Sequence, residues 1–446
     1  MDLSRSITHW LLNRLDVLPV SRLQHLAGTR TPERLLDLIL GNRNAAEVRA
    51  LLDEPANRDA NIATVLLPGV MGSLLASTRG ISTTIWFNPT ILLDGQINLL
   101  ELDGNGERDR SPDVDIVPVG IEKMSYLKLI LTLARETRLY EFPYDWRRPL
   151  EWNAHILADS LQRWSQAEPD RRFALVGHSM GGMLAHTYAA LYPRAAEQLA
   201  QIITLATPYY GSPLTIPLFS CQTDSSRFVQ ALHPANDVVT LFANLPSTYQ
   251  LLPPPQDLFD LERSYPANWD LYNAKDWGLS VIRQDYLELA RQWHQTVAQS
   301  DPQAPLFQIA GCHRRTLTDV WQPDRDSPYY DGPPEYTEVY EQTGESSGDS
   351  TVPLWSAVKA GVSTFYIEES HQALPTNSHA LKAVTDLLHG QQPDLATSLP
   401  QHKGLLQQIA PPASRPTGRG PASAYRGGGH HSRRDRAHRL FALTCG

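Results

Sequence analysis

Three residues of this chain have the types, order and local sequence that nucleophilic catalysis needs. The first is Ser179, in Gly177-His178-Ser179-Met180-Gly181-Gly182, between the apolar runs Phe173-Ala174-Leu175-Val176 and Met183-Leu184-Ala185. A G-x-S-x-G turn between strand and helix holds its serine in a strained backbone conformation. Glycine is required on either side because a side chain there would collide with neighbouring segments. The hydroxyl is thereby presented at the carboxyl end of the strand. The following helix aims free N–H groups and its positive dipole end at the same spot, which suits an oxyanion forming there.

An unassisted serine hydroxyl is a poor nucleophile and needs a base within hydrogen-bond reach and an acid to orient that base. Asp349, in Gly348-Asp349-Ser350-Thr351-Val352-Pro353, and His371, directly behind the apolar run Gly361-Val362-Ser363-Thr364-Phe365-Tyr366-Ile367, follow in the order serine, acid, histidine. Glu345, Asp326 and Asp319 compete as the acid from less constrained polar sequence, and His379 competes as the base. Oxyanion donors are expected in the backbone N–H of Met180, just after the serine, and of Val70. Val70 stands in the glycine-rich loop Pro68-Gly69-Val70-Met71-Gly72-Ser73 behind the apolar run Ile62 to Leu67.

The elements that must position these residues follow from periodicity. Strand-like apolar runs at Ile62–Leu67, Arg171–Val176, Ile202–Ala206 and Leu306–Gly311 alternate with helical stretches at about 124–137 and 153–167. This predicts an α/β architecture with a mostly parallel sheet, helices on both faces, and ligands beyond the carboxyl strand ends. A helical lead-in is expected over residues 1–60 and the main domain over 61–390. The turn-rich stretch 74–118 is too irregular for core strands and predicts a lid, and 214–304 predicts an inserted cap, in which Phe219, Phe228, Phe242, Tyr249, Trp269 and Trp277 would either suit an oily substrate or, as is commoner, pack as plain core. Asp145 and Arg147 predict an ion pair bracing their loop, in preference to a contact with substrate. The Pro-, Gly- and Arg-rich stretch 391–446 predicts a disordered basic tail.

Composition narrows the function classes. At 446 residues and 41% hydrophobic content the chain can bury a substantial core, and a net charge of −9 argues against nucleic acid as a partner. Cys221, Cys312 and Cys445 make neither a metal-binding spacing nor a disulfide framework, and the proposed chemistry needs no metal or organic cofactor. The first residues carry neither a signal-peptide core nor a membrane span, so a cytoplasmic location is expected.

The stretches Val65–Ser73, Thr84-Ile85-Trp86, Pro143-Tyr144-Asp145-Trp146-Arg147, Gly177–Gly182, Leu245–Pro253 and Gly348–Pro353, with His371, resemble the successive landmarks of the lecithin:cholesterol acyltransferase family, which includes lysosomal phospholipase A. The resemblance spans roughly residues 62 to 390. It implies an α/β-hydrolase fold with a cap and a mobile lid, and acyl transfer from a lipid ester to water or to an alcohol. By position it implies Ser179 as nucleophile, Asp349 as acid, His371 as base, and Val70 and Met180 as oxyanion donors. Trp86 and Tyr209 are the expected substrate contacts, and a lipid ester, met through transient contact with a membrane surface, is the expected partner. Secreted members brace the lid with a disulfide; here no cysteine precedes Cys221, so the lid is expected to move freely or to be held otherwise. A soluble esterase of small substrates and a non-catalytic binding protein on the same frame are the competing readings.

Overall fold

Short runs of aliphatic and β-branched residues, buried at nearly every position, read as strands covered on both faces. The structure, a computed structural model, describes residues 42–53, 61–79, 83–220, 222–300, 304–322, 336–344 and 347–401. The chain folds in order as α1 (Asn42–Asp53), β1 (Ile62–Leu67), β2 (Ser73–Ser77), β3 (Thr83–Trp86), β4 (Ile116–Ile121), α2 (Lys123–Glu136), β5 (Arg138–Glu141), α3 (Leu150–Ala167), β6 (Arg172–His178), α4 (Met180–Leu191) and β7 (Gln201–Leu205). There follow α5 (Asp224–Leu232), α6 (Gln284–Ala298), β8 (Leu306–Gly311), β9 (Thr316–Trp321), β10 (Thr337–Glu341), β11 (Ser363–Ile367) and α7 (Ser378–Leu388), with shorter helical turns between them.

The central sheet has six strands in the order β11-β8-β7-β6-β1-β5, and every neighbouring pair is parallel. Side chains alternate between two apolar layers, as a pleat of period two requires. Val65, Phe173 and Leu175 pack with Leu157 and Leu184 of α3 and α4. Leu66, Ala174 and Val176 pack on the other face with Leu129, Leu133, Val384 and Leu387 of α2 and α7. The expected three-layer arrangement is therefore observed. No helix among the described residues is long and apolar enough to cross a membrane.

Two segments differ from expectation. Within 74–118, β2, β3 and β4 form a three-stranded antiparallel sheet in which Ser77 pairs with Ile116. The partners are far apart in sequence, and the turns between them mask the pairing. The intervening loop is tied down by Arg147, whose fully buried guanidinium reaches Asp145 (2.8 Å), Asp109 (2.7 Å) and the Leu100 carbonyl (3.1 Å). The ion pair expected at Asp145 and Arg147 is thus a buried clamp on this insertion.

Residues 391–401, expected to begin a disordered tail, instead run back along β11. The Tyr366 N–H donates to the Ala396 carbonyl (2.8 Å), and Leu395 and Leu399 pack against the domain. Two apolar side chains and a strand edge that can be paired explain the added order. The remainder of that tail, 402–446, and the helices expected before Asn42 lie outside the described residues, whereas α1 docks on α2 through a Glu47–Lys128 ion pair.

The stretch 214–304 bears on what lines the site. It forms helical turns whose aromatics mostly pack with one another: Phe219 meets Tyr249 and Trp277, and Trp277 meets Trp269. The roof over the site mixes aliphatic side chains, Leu214, Leu218, Val229, Val238, Leu241 and Leu251, with Phe242 and with polar ones that include Gln222, Ser226 and Arg227.

Candidate active site

β6 ends at His178 and α4 begins at Met180, so Ser179 is the single residue of the turn, with φ 53° and ψ −125°. A non-glycine residue at positive φ is uncommon and marks stored strain. The motif glycines allow the turn to be this tight. A Cβ on Gly181 would lie 2.1 Å from the Leu67 carbonyl oxygen, and one on Gly177 would lie 2.6 Å from Gly182. The Ser179 N–H continues the sheet by donating to the Leu205 carbonyl (2.8 Å), and the Thr207 hydroxyl donates to the Ser179 carbonyl (3.2 Å).

Asp349, before β11 in sequence, and His371, after it, meet at the carboxyl end of the sheet, where Asp349 lies against Gly311 at the end of β8. The Asp349 carboxylate, 1% exposed, accepts the N–H groups of Thr351 (3.0 Å) and Val352 (2.7 Å) on Oδ1. Its Oδ2 lies 2.7 Å from His371 Nδ1. An ionised carboxylate can only accept, so Nδ1 carries the proton and Nε2 is left with a lone pair. His371 reaches the serine turn through its neighbour. His178 Nε2 lies 3.1 Å from the His371 carbonyl oxygen, and the two rings are 4.8 Å apart. Among the described residues no hydrogen bond joins the Ser179 hydroxyl to His371.

The rival residues are placed elsewhere. Asp319 is ion-paired with Arg263 on β9, and His379 is exposed at the start of α7. Glu345 and Asp326 lie outside the described residues.

The loop after β1 lies against the serine turn: a Cβ on Gly69 would stand 3.1 Å from Ser179 Cβ. The N–H groups of Val70 and Met180 enter none of the hydrogen bonds among the described residues, as the first turn of a helix and an open loop allow. Val70, Met71 and Ser179 border a cavity of about 900 Å³ that runs under the roof past Leu218, Val229, Leu241 and Phe242. Trp86 is part of its wall, held by an indole N–H bond to the Met71 carbonyl (2.8 Å).

Tyr209 is not. Its neighbour Pro208 faces the cavity, while the Tyr209 phenol is buried against Thr204 (2.8 Å) with its ring edge-on to His186. In the turn that follows β7, Pro208 is thus turned toward the cavity and Tyr209 inward, toward Thr204 and His186.

Sequence reasoning missed Tyr126 and His178. The Tyr126 hydroxyl lies 2.8 Å from both the Gly69 nitrogen and His178 Nδ1. His178 fills the unspecified second position of the serine motif, and Tyr126 is an ordinary apolar-face residue of α2; neither carries a sequence signal.

A family model, the PGAP1-like alpha/beta domain, matches residues 148–237, which hold α3, β6, the serine turn, α4 and β7. The fold is that of an α/β hydrolase. Several solved structures resemble this chain at low identity. The mature form of Bacillus licheniformis lipase BlEst2 is 14% identical, with 75% of this chain and 96% of that chain covered and a TM-score of 0.38. The metagenomic carboxyl esterase MGS0156 is 15% identical, with coverages of 80% and 89% and a TM-score of 0.34. Phospholipase PlaB from Legionella pneumophila is 14% identical, with coverages of 67% and 45% and a TM-score of 0.29. No curated protein matches the chain.

Proposed function

We propose that the protein is a serine-dependent acyl hydrolase or acyltransferase acting on lipid esters, with phospholipid as the substrate class. The observation that carries the reading is the Asp349–His371 pair seated beside the Ser179 turn at the foot of a cavity that has an aliphatic run along one part of its wall.

His371 Nε2 takes the Ser179 proton as the hydroxyl oxygen attacks the ester carbonyl. The resulting oxyanion is held by the N–H groups of Val70 and Met180. Collapse breaks the ester C–O bond, His371 gives its proton to the leaving alcohol, and the acyl group remains on Ser179. Water or an acceptor alcohol then repeats the sequence and frees the serine. Asp349 holds the imidazole in the Nδ1–H tautomer throughout and steadies its positive charge.

A lipid acyl group is favoured over a small ester by the aliphatic run Leu218, Val229, Val238, Leu241 and Leu251 along the cavity. Trp86 contributes to the same wall as a substrate contact. Leu93, 58% exposed at the end of the short helix Pro89–Leu93 that packs on α5, offers an apolar point for transient membrane contact near that run.

The test is labelling by a fluorophosphonate, with mass spectrometry of products from mixed phospholipids and alcohols. Wild-type protein should be labelled and release fatty acid or form new esters, and S179A should do neither. Equal labelling of S179A refutes the serine assignment, and inertness toward phospholipid with turnover of a short-chain ester refutes the lipid assignment.

A further inference from the structure

We infer that Tyr126 and His178 are positioning residues that lock the oxyanion loop, the serine turn and the His371 backbone into one hydrogen-bonded chain; the inference rests on the acyl-transfer reading of the site. The bond directions are fixed from one end. The His371 carbonyl can only accept, so the proton of His178 is on Nε2 (3.1 Å). His178 Nδ1 is then an acceptor and takes the Tyr126 O–H (2.8 Å). With its proton so directed, the Tyr126 oxygen receives the Gly69 N–H (2.8 Å) on a lone pair. No member can reverse without breaking its neighbour.

The chain crosses three parts of the fold. Gly69 precedes Val70 in the oxyanion loop, His178 precedes Ser179, and His371 is the base. Tyr126, on α2, links the first two from the far side of the sheet. Both side chains are buried, at 4% and 5% exposure, so water does not substitute for a lost partner. Desolvation, with His371 nearby, holds His178 well below the usual histidine range, in keeping with a ring that stays neutral and serves as a fixed connector. The base proper is His371, whose Nδ1 is bound to Asp349.

The role predicts that the geometry of the reacting groups fails before binding does. Tyr126→Phe keeps the ring and removes the hydroxyl, leaving the Gly69 N–H and His178 Nδ1 unpaired. On a short-chain nitrophenyl ester kcat should fall on the order of 10- to 100-fold with KM within about twofold, since small displacements of reacting groups have effects of that size. Fluorophosphonate labelling of Ser179 should slow in parallel. His178→Gln, which keeps a donor and an acceptor, should retain more kcat than His178→Leu. The Tyr126→Phe/His178→Leu double variant should be no slower than the slower single, because both break the same chain.

The inference is overturned if Tyr126→Phe keeps kcat within twofold of wild type, or if the two single losses multiply in the double variant. Thermal melts accompany each assay. If Tyr126→Phe does not fold, equal kcat for His178→Gln and His178→Leu overturns it instead. Absence of Ser179 labelling in the wild type removes the underlying reading, an outcome distinct from a labelled enzyme indifferent to Tyr126.

Discussion

Asp349 holds His371 at two points: its carboxylate meets the imidazole Nδ1 at 2.7 Å, and its backbone carbonyl takes the His371 N–H, also at 2.7 Å. Ring and backbone are therefore referenced to the same residue, and the imidazole has one tautomer available.

Asp349→Asn tests that consequence. The amide oxygen can still accept from Thr351 and Val352, but its NH2 then faces His371 Nδ1 and moves the imidazole proton to Nε2. A protonated Nε2 cannot accept the serine proton. On the proposed mechanism kcat should fall by roughly 10⁴ with the protein still folded, as read by ester turnover beside circular dichroism.

Arg147→Met should destabilise the fold without touching the reacting groups. It would leave Asp145 and Asp109 facing each other without the buried guanidinium that joins them, and breaking such a pair costs about 3–5 kcal/mol. Urea unfolding at neutral pH measures the loss. Arg147→Lys should recover only part of it, because one ammonium cannot reproduce the forked contacts.

Cavity length should set acyl preference. Leu241, buried in the wall, becomes an obstruction when changed to Trp. Each methylene buried along the wall contributes about 0.8 kcal/mol, or roughly fourfold in kcat/KM. Wild-type kcat/KM should therefore climb with chain length, and Leu241→Trp should flatten that climb at long chains while sparing short ones. An unchanged profile would place the acyl chain elsewhere.

Acid should weaken the protein through buried histidines. His186 is lowered to about 3 by desolvation and then by the Lys359 charge, and His294 to about 3 by desolvation, with the Leu252 carbonyl opposing. Both are neutral when folded and bind protons more readily when unfolded. Their contribution is complete above the ordinary histidine pKa of about 6.5 and is lost as pH falls from there toward 3. Each should reduce stability by about 1.4 kcal/mol per pH unit across that window. Denaturant midpoints from pH 7 to 4 should fall for wild type and less steeply for His294→Gln.

Much of this arrangement was legible because backbone constraints are written in residue type. Gly177 and Gly181 are dictated by close backbone approach, and uninterrupted apolar runs announce strands covered on both faces. Asp349 and His371 stand out because they flank the last strand in turn-forming sequence. The antiparallel pairing of β2 with β4 was hidden because its partners are joined by a long turn-rich insertion. Tyr209 was misplaced because adjacent residues of one turn point to different sides. Tyr126 was invisible because a hydroxyl on an apolar helix face acquires meaning only from what the fold puts opposite it.

The return of residues 391–401 along β11 bears on solubility. β11 is one of the two borders of the parallel sheet, and a bare border is a template on which a second molecule can add a strand. The Ala396 carbonyl takes the Tyr366 donor that such an intruder would seek. Removing the stretch after α7 would thus unmask a sticky seam, and self-association of the shortened protein, rather than loss of its fold, is the expected result.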